Sequence, residues 1–391
     1  MKFIVVSDIH LTQHDGFPKQ NNISERSLLL LKNFVNIVKH NESDELILLV
    51  VGDWFDNINK LHSIDLQITN MIFKLFKKVI FINGNHDLYS SHSSNNFQIS
   101  SGDILSSNKQ VTYFNDIKLI NVGSDYFWLL PYKTDTQEVL PKIEFQLKSL
   151  LQSKTYNNSS KHYFFSHLSI DEIEKTFFNH EKEYFKYTDF VKLMTNYKID
   201  FEFFQGHYHL KSSENIIQDK RFHIISTFPK NFSDVVKSLN NFSNFGYYEI
   251  DTVTKDFYFK EFEEVFIFYE MEYSENNISD IINFLKSHSN YYVFLKLVVN
   301  ELNEDKLFQI ENLKSYVKRI QIVNKYTKSG GILENQNEEI LETTNMIMNI
   351  YQYLIDYIKT VSNLSDEYKN KIISSIIQIE REMEQLERGE I

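Results

Sequence analysis

The chain has no cysteine in 391 residues. Disulfides and thiolate metal sites are therefore excluded, and any bound metal must be held by His, Asp, Glu or Asn. Such oxygen and nitrogen ligands favour Mn, Mg, Fe or Zn. Alanine is also absent, while Asn, Ile, Lys, Phe and Tyr are used heavily. That bias points to A/T-rich codons and says little about function. No apolar run approaches the roughly 20 residues that a membrane helix requires. The first residues have the character of a strand rather than a signal peptide, so a soluble cytoplasmic protein with no membrane contact is expected. A basic excess is missing too: the net charge is −12, whereas a general nucleic-acid binder usually carries a basic face. Bound metal ions add local positive charge, so this acidity does not exclude a nucleic-acid substrate.

With 42% hydrophobic and 15% aromatic residues, the chain has enough apolar material for a real core, and global disorder is excluded. Five short polar motifs interrupt that material. They are Asp8-Ile9-His10, Gly52-Asp53-Trp54-Phe55-Asp56, Gly84-Asn85-His86-Asp87, Ser166-His167 and Gly206-His207-Tyr208-His209. The first four close or directly follow apolar β-type runs, and the fifth follows a run of aromatics. Residues at the ends of neighbouring strands converge in space.

Lys2 to Ser7, Leu46 to Val51 and Val79 to Ile82 read as strands. Between them, Ser24 to His40 (Leu28, Leu31, Phe34, Val35 and Val38 at helical spacing, Ser24 as N-cap) and Leu61 to Lys77 read as helices. This rhythm predicts parallel pairing with right-handed crossovers, and ligands beyond the carboxyl ends of the strands. From Ile117 to Phe262 the pattern turns β-rich, which predicts two packed sheets flanked by helices. The fold class expected is α/β, a four-layer α/β/β/α sandwich over residues 1–262. A β-α-β-α-β unit at 263–326 reads as a small α/β capping domain. Residues 327–339, with Gly330-Gly331, read as a linker. Residues 340–391 read as a C-terminal helical pair, with Ile347, Tyr351, Leu354 and Ile358 on one helix and Ile372, Ile376 and Ile379 on the next.

Asp8 and His10 are two apart in what reads as an extended segment, so both side chains face one way, as do His207 and His209. One consistent assignment places Asp8, His10, Asp53 and His209 on a first metal. Asp53, Asn85, His167 and His207 then hold a second, with Asp53 shared. Two ions about 3.5–4 Å apart can bind a phosphate and activate water for in-line attack. His86, offset by one from Asn85, is free to act as general acid. Asp87 is expected to orient His86, and Asp56 to sit behind the ligands near the substrate.

This series of motifs resembles the calcineurin-like metallophosphoesterase superfamily over roughly the first two-thirds of the chain. The resemblance implies a di-metal phosphodiesterase or phosphatase. Asn57 follows Asp56, and the third motif ends in Asp87, which separates the chain from protein-serine/threonine phosphatases. Gly84 to Leu88 and the order of parts look like SbcD-type double-strand-break nucleases, especially shorter bacteriophage subunits. That likeness implies a Mn-dependent DNA exo- or endonuclease in end processing, with a C-terminal helical pair that docks on an SbcC-type coiled-coil ATPase. It leaves a homodimer open, and it implies the host cytoplasm if a phage encodes the chain. Ser226-Thr227-Phe228-Pro229 fits the family's stretch after its last histidines only in part, and Asp56 stands where some of these nucleases have His. The alternative is a phosphatase or phosphodiesterase of nucleotides or other small phosphoesters. His14, His62, His92, His162, His180, His223 and His288 match no motif position and read as structural, and Lys19, Lys211 and Lys230 as surface cations.

Overall fold

In this computed structural model, residues 1–12, 19–20, 23–41, 45–88, 100–154, 156–177, 184–209, 217–226, 228–229, 245–274, 278–280, 291–299 and 319–324 are described, with scattered positions up to 377. The elements in chain order begin with β1 (Lys2–Val6), β2 (Lys19–Gln20), β3 (Ile23–Ser24), α1 (Glu25–His40), β4 (Leu46–Val51), α2 (Ser63–Lys74) and β5 (Lys78–Ile82). Then follow α3 (Ser101–Leu105), β6 (Val111–Phe114), β7 (Lys118–Val122), β8 (Asp125–Leu130), α4 (Val139–Leu151), β9 (His162–Ser166), α5 (Asp171–Phe177) and α6 (Tyr187–Asn196). The remainder is β10 (Phe201–Gln205), β11 (Phe222–Ile224), β12 (Gly246–Asp251), β13 (Asp256–Glu261), β14 (Val265–Glu272), β15 (Tyr291–Val299) and β16 (Arg319–Asn324).

β1, β4 and β5 are parallel neighbours, as the strand–helix rhythm predicts. The first sheet runs β13-β12-β1-β4-β5-β6 and the second β11-β10-β9-β8-β7. Side chains alternate across a strand, and the apolar residues sort accordingly into three layers. Ile4, Val6, Leu48, Val50 and Phe81 pack under Leu30 and Phe34 of α1 and Ile68 and Ile72 of α2. Phe3, Val5, Leu49 and Ile82 turn the other way and meet Phe127, Leu129, Phe165 and Phe204 of the second sheet. Trp128, Leu130, Phe164 and Phe203 face outward again, against Ile143, Leu147 and Phe190 of α4 and α6. Three apolar layers between four layers of structure make the chain an α/β/β/α sandwich. β4 is buried along its whole length because both of its faces are covered. Ser24 precedes α1 as expected, but its side chain does not cap the first turn.

Beyond the sandwich, β14, β15 and β16 form a separate parallel sheet, with helical residues at 278–280 and 308–310 between its strands. This sheet is clasped to α1. Asn33 donates through Nδ2 to the carbonyl of Glu264 (2.6 Å) and accepts from the Glu264 amide (3.2 Å). Asn36 Nδ2 donates to Glu263 Oε2 at 2.5 Å. Phe266, Leu295 and Leu297 join the apolar cluster of α1, and so do Ile355, Ile358, Ile372 and Ile376 of the C-terminal stretch. Residues 327–339, read as a linker, and most of 340–391 lie outside the described residues. Among the described residues no helix is long and apolar enough to cross a membrane.

His162, read as structural, is fully buried on β9. Its Nδ1 accepts a hydrogen bond from Trp128 Nε1 at 3.0 Å. Burial pushes its pKa down to about 4. The unfolded chain therefore binds a proton that the folded chain excludes, and stability falls as pH drops from 6.5 toward 4. The expected loss from this one group is about 3 kcal/mol. In His162→Asn, which keeps an acceptor for Trp128, urea midpoints should fall less steeply over that window, even if the variant is weaker at pH 7. Parallel slopes for the two proteins would contradict the assignment.

Candidate metal centre

The five motifs sit at the carboxyl ends of β1, β4, β5, β9 and β10. There the backbone leaves the sheet through left-handed turns. Asp8 (φ 52°), His10 (47°), Asp53 (51°), His207 (80°) and His209 (46°) all occupy positive φ. The expectation that Asp8 and His10, or His207 and His209, converge by extended alternation is therefore corrected. A left-handed residue other than glycine costs roughly 1–2 kcal/mol and persists only where its surroundings over-determine it. Here the first two loops are zipped together. Asp8 N–H donates to the Gly52 carbonyl (3.1 Å), His10 N–H to Asp53 (3.0 Å) and Leu11 N–H to Trp54 (2.7 Å). Gly52 (φ 83°) cannot be replaced at this crossing, since a Cβ there would lie 2.3 Å from His167 Nδ1.

Side chains that are far apart in sequence then meet. Ligand atoms of Asp8, His10, Asp53 and His209 lie within 4.8 Å of one another, and so do those of Asp53, His167 and His207. His10 Nε2 is 2.7 Å from His209 Nε2. His167 Nε2 is 3.2 Å from Asp53 Oδ2. His167 Nδ1 lies 2.7 Å from the Val51 carbonyl; as a donor there it turns the Nε2 lone pair inward. His207 Nε2 is 3.2 Å from Ser169 Oγ, which leaves Nδ1 to face the cluster. Asn85 Oδ1 and His207 Nδ1 are buried without a hydrogen-bond partner among the described residues.

The electrostatics follow from this crowding. Burial acts to raise the Asp53 carboxyl, but His167, His10 and His86 outweigh it and hold the group well below the usual range. Burial lifts Asp8 above its ordinary value, against the pull of His167 and His209. Burial acts to lower His167, yet Asp53 and Asp8 raise it to about 9. Burial drives His207 down to about 3, with His167 adding to the effect. Cation uptake at His167 must accordingly release a proton.

His86 Nδ1 lies 2.6 Å from the main-chain carbonyl of Asp56, and the His86 ring stands edge-on to His10 at 4.8 Å. The side chain of Asp56 approaches His10 instead, with Oδ1 3.4 Å from Nδ1. Asp87 does not orient His86, and that expectation is corrected. Its fully buried carboxylate accepts from the amides of Asp53 (2.7 Å) and Gly84 (2.9 Å) and from Ser101 Oγ (2.8 Å). It therefore ties the second motif to the third. Burial, then Asp53, lift its pKa to about 7. The sequence reading missed Ser101, Ser169 and Arg26. Serine in a polar loop gives no signal. Arg26 does give one: a cation in the first turn of a helix opposes the macrodipole.

The donor set fits two divalent cations. It is rich in imidazole and carboxylate, it has one shared carboxylate, and it keeps buried acceptor atoms that nothing else uses. Asp8, His10, Asp53 and His209 would hold one ion, and Asp53, Asn85, His167 and His207 the other. Such a pair binds phosphate oxygens, polarises the phosphorus and generates a water nucleophile near neutral pH. The chain's own part would be to fix these side chains, with His86 held beside the first group by its contacts with the Asp56 carbonyl and the His10 ring.

Layers, strand-end ligands and paired carboxylate–imidazole groups together describe a phosphoester hydrolase. The sequence profile of the calcineurin-like phosphoesterases matches residues 1–211, and the chain belongs to that family. No curated protein matches it. Among solved structures it is similar to a 5'-nucleotidase from Candida albicans SC5314 (13% identity, TM-score 0.35, 57% of this chain and 44% of that one). It is also similar to the NAD nucleotidase NadN of Haemophilus influenzae (9% identity, TM-score 0.29, 81% and 60%). A third is the calcineurin-like phosphoesterase YfkN of Bacillus subtilis (9% identity, TM-score 0.29, 67% and 88%). The chain thus spans less than two-thirds of the first two structures' length.

Proposed function

We propose that the chain is a Mn-dependent phosphodiesterase that cleaves DNA, the nuclease subunit of an SbcCD-like complex. The observation that carries the hydrolytic reading is the pair of ligand groups meeting at Asp53, with His86 alongside. DNA as substrate is supported by the order and spelling of the motifs, above all Gly84 to Leu88. A further parallel sheet set directly after the sandwich adds to this. We assign residues 263–326 as its cap and 340–391 as its contact with a coiled-coil ATPase. The isoleucines at 355, 358, 372 and 376 are already buried within this chain, so other residues of the tail would make that contact.

A second reading, a phosphoesterase of nucleotides or other small esters, is favoured by the net charge of −12. Salt separates the two. A duplex-DNA substrate releases counterions on binding, so its KM rises steeply with ionic strength; a small ester shows little dependence. We expect Mn-stimulated, chelator-sensitive cleavage of end-labelled duplex DNA, with KM rising between 50 and 200 mM salt. Hydrolysis of bis-(p-nitrophenyl) phosphate and nucleotides with no cleavage of DNA would give the second reading.

A further inference from the structure

Arg26 is the residue that joins the first metal group to the rest of the molecule. Its guanidinium is fully buried at the start of α1. Nη2 donates to the carbonyls of Ile9 (2.6 Å) and Phe228 (2.6 Å), Nη1 to that of His10 (3.0 Å), and Nε to that of Pro229 (2.9 Å). The cation also lies 5.0 Å over the Phe228 ring. Two of these acceptors belong to the left-handed Asp8–His10 turn. The other two lie beyond β11, in a stretch that returns to the same turn: the Phe228 amide donates to the Asp8 carbonyl at 3.3 Å.

The turn therefore has a guanidinium on one side and the Gly52–Asp53 loop on the other. An unsupported Asp8–His10 turn would relax toward ordinary φ and carry the His10 imidazole away from His209. A buried carbonyl left without a donor is costly, so four carbonyls converging on one cation fix its position strongly. Lysine cannot do the same work, because an ammonium has three donors on one atom and no planar fork.

We infer that Arg26 is a positioning residue whose main effect falls on the first metal group: it holds the Asp8–His10 turn so that His10 faces His209. The inference rests on the metal-centre reading. His167, His207 and Asn85 come from the ends of β9, β10 and β5, and the turn reaches them less directly, where Asp8 Oδ2 accepts from the His207 amide at 2.9 Å.

The test is Mn titration of the metal-free, full-length protein, with the bound ions counted by mass spectrometry and the spin coupling read by electron paramagnetic resonance. Wild type should take up two ions with the signal of a coupled pair. Arg26→Lys should keep one tight ion, bind the other at least tenfold more weakly, and show the six-line signal of an isolated ion. Asn33→Leu, also buried on α1 but holding the Glu264 turn, should lose stability and still bind two. If Arg26→Lys does not fold, Arg26→Gln carries the same comparison. Two ions bound by the Arg26 variant as tightly as by wild type would overturn the inference. So would equal weakening of both ions. A wild type that binds no Mn would instead overturn the metal-centre reading on which it rests.

Discussion

His86→Ala should lower turnover of a DNA or alkyl phosphodiester by about 10²–10⁴-fold while leaving the number of bound ions unchanged. The imidazole stands outside the two groups that meet at Asp53, although it lies within 4.8 Å of ligand atoms of His10 and Asp56 in a further cluster. Its Nδ1 is occupied by the Asp56 carbonyl, which leaves Nε2 as the ring atom available to the leaving oxygen. The backbone amide of residue 86, which donates to Asp53 Oδ1 at 2.8 Å, survives the substitution, so the shared carboxylate keeps its orientation. The size of the loss should depend on the leaving group. A nitrophenolate departs without a proton, and the variant should hydrolyse bis-(p-nitrophenyl) phosphate with a much smaller deficit. Equal deficits on both substrates would show that His86 stabilises the bound phosphate rather than donating a proton. Loss of an ion would make it a ligand.

Asp53→Asn should abolish binding of both ions, and with it all metal-dependent hydrolysis. Asparagine keeps an acceptor for the amide of residue 86 and nearly the same volume, so the metal-free fold should persist. The charge, however, is the element common to both ligand groups. His167 gives an independent signature. In the metal-free protein its pKa is raised to about 9 against the effect of burial, with Asp53 the largest contributor. Without that carboxylate the ring should lose its proton at a lower pH, which imidazole proton resonances would follow directly. A variant that retained one tightly bound ion would show that the two groups do not share Asp53.

The convergence of the candidate ligands could be read from the sequence because most lie next to an apolar run that reads as a strand, and strand ends gather. The sandwich was legible for the same reason: Phe3, Val5 and Leu49 alternate with Ile4, Val6 and Leu48 between two different apolar layers. Positive φ was not legible. Aspartate and histidine visit it more often than most residues other than glycine, but that preference does not say which ones will, and at Asp8 and His10 it is the ladder to Gly52 and Asp53 that fixes it. The role of Asp87 was misread because adjacency to His86 suggested contact, whereas neighbours on a turn point apart. Short or mixed segments such as Val111–Phe114 carry too little periodicity to announce a strand. Arg26, a cation set against the dipole at the start of a helix, shows in the sequence that something is unusual but not that four carbonyls surround it.

The position of β1 has a bearing on how the chain is made. It leaves the ribosome before the strands that flank it, yet it ends up inside the sheet, with β4 on one side and antiparallel β12 on the other. Lys2 pairs with Asp251, and Val5 with Tyr248. For most of synthesis the nascent chain therefore exposes one unpaired edge of β1, an invitation to mispairing with other chains. The last histidine ligands, His207 and His209, also arrive late. A stalled or prematurely terminated product that ends before β12 (Gly246–Asp251) would thus carry a sticky edge and few or none of the means to hide it, and quality-control proteases should meet such fragments more readily than they meet the full chain.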